Sequence, residues 1–246
     1  MADYAGSKKI KEVRALLSRT SMRRKTGLFV IEGERICSEA PAEETEAVYV
    51  SETYLKEHPE THADYIIRDR DMGAIFDTQH PQGILSVVRQ RQLRAEDLTG
   101  RDTYLLLETI QDPGNLGTII RTAEAAGVDA VIMDRGCADI YSPKVARSTM
   151  GAIFRLPFAY TESIAEYAKI LTDDGVTVYA AHLNGQDITG RSPAPRKAYM
   201  IGNEGNGLTD EAASAAREII RIPMEGKTES LNAAVSAAIL CYWGRI

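Results

Sequence analysis

Five polar residues in the second half of the chain stand where chemistry would be done: Asn115 and Arg121, Glu204, and Ser230 with Asn232. Each falls at a junction between a strand-like apolar run and a helix-like run. Asn115 is expected just before a helix and Arg121 about two turns into it, so that both face one cleft. A guanidinium there would suit a phosphate, because its planar fork matches phosphate oxygens. Taken singly, each residue has a plain structural role. Asn115 and Ser230 would cap helices, Arg121 would be a surface charge, and Glu204 would satisfy loop amides. Their combination with two glycine-bearing loops carries the argument. One loop runs through Gly202, Gly205, Asn206 and Gly207, the other from Ile222 through Met224 and Gly226 to Leu231. Glycine tolerates positive φ and has no Cβ, so the backbone can approach a ligand closely. Two such loops side by side at strand ends would seat a small polar ligand.

Other chemistries are set aside by spacing. There is no Gly-x-x-x-x-Gly-Lys-Ser/Thr loop, and Gly202, Gly205 and Gly207 reverse the order of the dinucleotide fingerprint. No Gly-x-Ser-x-Gly elbow occurs. Cys37, Cys137 and Cys241 are odd in number and far apart, against both a disulfide framework and a thiolate zinc site. They fit a reducing cytoplasm, and no metal is implied. Pro59 between His58 and His62 makes one shared helical face for these histidines unexpected. No secretory leader is expected, and the longest apolar runs are too short to span a membrane.

The elements that must position the five residues follow from periodicity. Strands are expected at Thr103–Leu107, Ala130–Met133, Thr177–Ala181, Lys197–Ile201 and 218–222, with helices between them. The leucines of the first suggest burial on both faces, as in a parallel sheet. A helix is expected over 116–126, stopping at Gly127, and Ser142-Pro143 opens another. The alternation predicts an open parallel α/β sheet covered on both sides. Before it lies a smaller α/β unit, with a helix carrying Ile10, Val13, Leu16 and Leu17 and strands at 28–31, 47–50, 65–67 and 84–88. The reading therefore divides the chain into residues 1–92, a polar linker over 93–102, and residues 103–246. Leu231, Ala234, Val235, Ala238, Ile239, Tyr242 and Trp243 line one face of a final helix whose other face, Ala233, Ala237 and Leu240, is hardly polar. A helix apolar nearly all round is buried on both sides, which at a chain terminus predicts a homodimer.

The 246 residues are 44% hydrophobic and carry a formal charge of −6. That balance conceals an asymmetry. Between Ser7 and Ile31 eight basic residues, among them Arg14, Arg23, Arg24 and Lys25, oppose Glu12 alone, which leaves the remainder at −13. A basic arm on an acidic protein is the electrostatic footprint of a nucleic-acid contact.

Three ordered motifs are similar to those of the SpoU family of RNA ribose 2′-O-methyltransferases, the TrmH-like branch of the SPOUT class. They are Asp112-Pro113-Gly114-Asn115-Leu116-Gly117 through Arg121-Thr122-Ala123, then Gly202-Asn203-Glu204-Gly205-x-Gly207, then Ile222-Pro223-Met224-x-Gly226-x-x-x-Ser230-Leu231-Asn232. Ser142-Pro143-Lys144-Val145-x-Arg147-x-x-x-Gly151 resembles this group too, and the stretch 23–40 with Glu32-Gly33 resembles its amino-terminal substrate-binding domain, of L30e-like type. The resemblance implies a carboxy-terminal trefoil knot that periodicity does not reveal. It implies S-adenosylmethionine, bound largely by backbone around Gly202, Ile222 and Leu231 with Met224 beside it, and a homodimer built on the knot helices. It implies Arg121 as the group that polarises a ribose hydroxyl or orients the RNA phosphate, with Asn115, Glu204, Ser230 and Asn232 positioning the parts. Arg14, Arg23, Arg24 and Lys25 would meet RNA phosphates. Ribosomal RNA is the expected substrate, transfer RNA the alternative, and a non-catalytic RNA-binding protein the reading from another class.

Overall fold

The first ninety residues alternate apolar and polar positions in short runs, and these become a five-stranded mixed sheet. In the computed structural model, which describes residues 2–75, 81–228 and 230–244, this sheet contains β1 (Asp3–Tyr4), β2 (Leu28–Glu32), β3 (Thr45–Ser51), β4 (Tyr65–Ile67) and β5 (Ile84–Arg89). Its order is β1-β4-β3-β5-β2, with β5 antiparallel to both its neighbours. Helices α1 (Ser7–Ser18), α2 (Thr20–Thr26), α3 (Glu34–Glu39) and α4 (Glu52–Glu57) surround it. As the spacing predicts, α1 buries Val13 and Leu16 against Val30, Tyr49 and Leu85, and α2 ends at Gly27 with φ 67°.

The second sheet is six-stranded and parallel throughout its described pairings. It contains β6 (Thr103–Leu107), β7 (Ala130–Asp134), β8 (Phe158–Thr161), β9 (Thr177–Asp187), β10 (Lys197–Ile201) and β11 (Glu218–Arg221) in the order β11-β9-β10-β6-β7-β8. Its helices are α5 (Pro113–Ala125), α7 (Ile164–Asp173), α8 (Asp210–Ser214) and α9 (Ala233–Tyr242), while α6 (Pro143–Ser148) lies in the stretch between β7 and β8. β6 is buried along its whole length. β8 has no counterpart in the sequence reading, because four residues between Pro157 and Glu162 offer too little periodicity. Residues 93–102, expected as a linker, hold a 3-10 turn whose Ala95 and Leu98 are buried in the core of this second unit.

By contact the chain divides into residues 1–91 with 139–154, and residues 92–138 with 155–246. The excursion Asp139–Phe154 therefore packs with the first unit, although its sequence neighbours belong to the second. One residue tying it there is Arg23, expected to meet RNA and found 4% exposed. Its Nε and Nη2 donate to Asp139 Oδ2 at 2.9 and 2.8 Å. Nη1 donates to the carbonyls of Leu16 and Leu17, and Nη2 also to Thr20 Oγ1. All five donors of the guanidinium are thereby engaged, so none is left for a phosphate. Phe29 packs on Tyr141 at 4.7 Å between ring centres, and Arg147 lies 3.8 Å from the buried Glu32 carboxylate.

Helix α9 corrects a second expectation. Ala233, Ala237 and Leu240, the side read as opposite to the main apolar stripe, are buried together with Cys241 and with Ala234 of the stripe. Val235 and Ile239, also of the stripe, are 46% and 36% exposed.

Candidate active site

A cleft of about 290 Å³ opens at the carboxy-terminal ends of β10 and β11, beside the middle of β9; ligands of open parallel sheets bind at such strand ends. Each wall has a local cause. After β10 the chain must reverse within a few residues, and it does so through Gly202. A Cβ on Gly202 would lie 2.2 Å from the carbonyl carbon of Gly207, a distance no side chain tolerates. Asn203 and Gly207 exchange backbone hydrogen bonds at 3.0 and 2.9 Å, and Gly207 takes φ 71°. The Asn203 side chain completes the turn. Its Oδ1 accepts from the amides of Gly205 and Asn206, and its Nδ2 donates to the carbonyl of Thr109. Asn203 is thus a loop-shaping residue that the sequence reading passed over; an Asn set among three glycines was the available signal.

The second wall comes from an interruption in the pairing of β9 with β11. Ile219 pairs with Ala180 but Ile220 with Gln186, so residues 181–185 fall out of register. Ala181, His182 and Leu183 from that bulge line the cleft. Gly185 allows it, since a Cβ there would come within 2.4 Å of the Ile220 backbone. A glycine inside a strand run is the usual sign of such a bulge. His182 Nδ1 accepts from the Asn184 amide at 3.2 Å. The third wall is Ile220 to Ile222, Met224, Ser230, Leu231, Ala233 and Ser236.

Of the residues expected in the site, Gly202, Ile222, Met224, Leu231, Glu204 and Ser230 line this cleft. Asn115 and Asn232 join it through hydrogen bonds. Asn115 Nδ2 donates to Glu204 Oε1 at 2.7 Å, and Asn232 Nδ2 donates to Asn115 Oδ1 at 2.9 Å. Two cap assignments change as a result. Asp112 caps α5, accepting from the Asn115 amide, which frees the Asn115 side chain for this bridge. Asn232, rather than Ser230, caps α9, accepting from the amides of Ala234 and Val235. One chain of hydrogen bonds therefore runs from the Glu204 carboxylate to the start of α9.

Arg121 is not among the residues lining the cleft. It is exposed on α5 and has no hydrogen bond or ion pair among the described residues. Six residues along a helix leave two side chains about 120° apart, so Arg121 and Asn115 do not share a face as expected. Helix α5 nonetheless packs on α9, whose cap is tied to Asn115.

This parallel sheet, with its glycine-walled cleft, defines a class. The chain belongs to the SpoU rRNA Methylase family, which residues 102–242 match; residues 7–86 match the MRM3-like substrate binding domain. Among its relatives is the 23S rRNA (guanosine(2553)-2′-O)-methyltransferase RlmP of Bacillus subtilis (strain 168), 35% identical over 98% of this chain and 97% of that protein. The crystal structure of an AdoMet-bound rRNA methyltransferase from Sinorhizobium meliloti superposes with a TM-score of 0.83 at 28% identity, covering 99% of this chain and 97% of that one. The SpoU methyltransferase AviRb from Streptomyces viridochromogenes shares the fold, with a TM-score of 0.81 at 24% identity over 96% of this chain and 95% of that one.

Proposed function

We propose that this protein transfers a methyl group from S-adenosylmethionine to a ribose 2′-hydroxyl of ribosomal RNA. The observation that carries the reading is the cleft itself. Ile201, Ile220, Ile222, Met224 and Leu231 offer apolar walls to a purine, while the turn at Gly202 leaves backbone groups close at hand. Its volume is near the lower end of small-molecule sites, roughly 300–1,000 Å³. The residues present therefore fit the methyl donor, with Gly202, Ile222, Met224 and Leu231 as those that would hold it. When bound, it supplies a methyl group already activated by the sulfonium.

The chain's own task is to align a poor nucleophile and help it lose its proton. Arg121 is the cation assigned to the hydroxyl and its neighbouring phosphate. Guanidinium holds its proton too tightly to be an easy base, so orienting the phosphate is its larger share. Glu204, fixed through Asn115 to Asn232, and Ser230 position the ribose and the loop. Arg14, Arg24 and Lys25, exposed on α1 and α2, hold RNA phosphates, which supply affinity without sequence information.

The proposal includes a substrate-reading part over residues 1–92, of L30e-like type, and a catalytic part over residues 103–246 with a carboxy-terminal trefoil knot, in a cytoplasmic protein. It includes a homodimer through α9, supported by the exposed Val235 and Ile239; sedimentation showing a monomer at micromolar concentration would remove that element. Among the described residues no helix is long and apolar enough to cross a membrane. The test is to map 2′-O-methyl groups in total RNA of a strain lacking the gene. The expected result is one ribosomal nucleotide unmethylated, restored by the wild-type gene and not by Arg121→Ala. Ribosomal RNA methylated in full would contradict the proposal, and a loss in transfer RNA would move the substrate.

A further inference from the structure

Arg221 is the last residue of β11. It lines the main cleft beside Ile222 and Met224. It also lines an adjoining hollow with Leu183, Asp187, Thr189, Pro223 and Glu225. Among the described residues of the main cleft's lining it is the lysine- or arginine-type cation, beside the Glu204 carboxylate and the His182 imidazole. Its present partner is loose: Nη2 stands 3.8 Å from Asp187 Oδ2, with both side chains close to half exposed. Asp187 is independently occupied, since its Oδ1 accepts from the Thr189 amide at 2.8 Å. The guanidinium can therefore take a second acceptor without stripping a buried carboxylate.

We propose that Arg221 recognises the α-carboxylate of the methyl donor, a deepening of the methyl-donor reading on which it rests. The donor's amino-acid end carries one carboxylate and one ammonium. Among the described residues lining this cleft, Arg221 is the cation that matches the carboxylate. An RNA phosphate is the competing anion. Asp187 and Glu225, lining the hollow beside Arg221, repel a backbone that brings several phosphates more than they repel a single carboxylate. A carboxylate also accepts two parallel bonds from one guanidinium, which gives direction as well as charge.

The test uses two probes that share the adenosine and the sulfur. S-adenosylhomocysteine keeps the carboxylate; 5′-methylthioadenosine lacks the whole amino-acid end. Calorimetry on the full-length protein should show Arg221→Met weakening S-adenosylhomocysteine about tenfold or more. It should leave 5′-methylthioadenosine within about twofold, and Arg221→Lys should recover part of the loss. Asp187→Asn, which keeps the Thr189 bond but removes the competing charge, should tighten S-adenosylhomocysteine and leave the other probe unchanged. The assignment is overturned by equal weakening of both probes, which makes Arg221 structural. It is also overturned by unchanged S-adenosylhomocysteine binding with weaker RNA binding, which hands the residue to phosphate. If Arg221→Met does not fold, Asp187→Asn still decides by the sign of its effect. Wild-type protein that binds neither probe removes the methyl-donor reading itself, and this assignment with it.

Discussion

Arg23 in α2 and Arg121 in α5 are both helical arginines in the pattern of the sequence, and the structure treats them in opposite ways. Arg23 is buried with every donor engaged, holding Asp139 and the carbonyls that end α1. Arg121 is exposed, with no partner among the described residues. A guanidinium whose five donors are satisfied is part of the scaffold. One whose donors are unengaged is available to a ligand. The contrast separates the protein's two kinds of positive charge, and it can be broken at either end.

The largest effect is expected at Arg121. Arg121→Ala should lower turnover by about 10²-fold or more while leaving S-adenosylhomocysteine affinity within about twofold, checked by single-turnover methyl transfer beside calorimetry. Equal losses of both would make Arg121 another Arg23. Arg23→Ala should act on stability instead. It leaves Asp139 largely buried without its cation, a loss on the order of 3–5 kcal/mol in urea unfolding followed by circular dichroism. Arg24→Ala, one residue away and exposed, should stay within about 0.5 kcal/mol. Similar unfolding midpoints for the two variants would undo the comparison.

A smaller effect is expected where the cleft is braced. Asn115→Ala removes both the bond to Glu204 and the bond from Asn232. Loss of a bond to a charged group suggests a decline in turnover of about ten- to a hundredfold. Unfolding should be little changed, because Asp112 still caps α5. The smallest is at the basic surface. Arg24→Gln with Lys25→Gln should weaken RNA binding modestly and flatten its salt dependence by about one to two counterions, with S-adenosylhomocysteine binding untouched. An unchanged salt slope would remove α2 from the RNA interface.

Much of the second unit was legible because its signals are local. The strand limits Thr103–Leu107 and Lys197–Ile201 are as the apolar runs predict, and Ser142 caps α6 ahead of Pro143. The glycines of the 202–207 loop announced a close turn, and the geometry at Gly202 bears that out. What remained hidden depends on partners far along the chain. That Arg23 would meet Asp139, 116 residues later, leaves no periodic trace in either segment. The same holds for Asn115, which passes its capping role to Asp112 because Glu204 and Asn232 are brought beside it. Helix α9 is a subtler case. With both faces apolar, amphipathicity cannot say which one turns inward, and the smaller side chains of Ala233 and Ala237 went to the core.

The central claim is that the cleft at the ends of β10 and β11, beside the middle of β9, serves methyl transfer to a ribose hydroxyl. Its most direct test incubates the purified protein with ribosomal RNA and S-adenosylmethionine labelled in the methyl group, then digests the RNA to nucleosides for mass spectrometry. Label is expected in a single 2′-O-methylated nucleoside, and is expected to be absent when Arg121→Ala replaces the wild type. Label on a base, or RNA left unlabelled by a wild-type protein that binds the methyl donor, would contradict it.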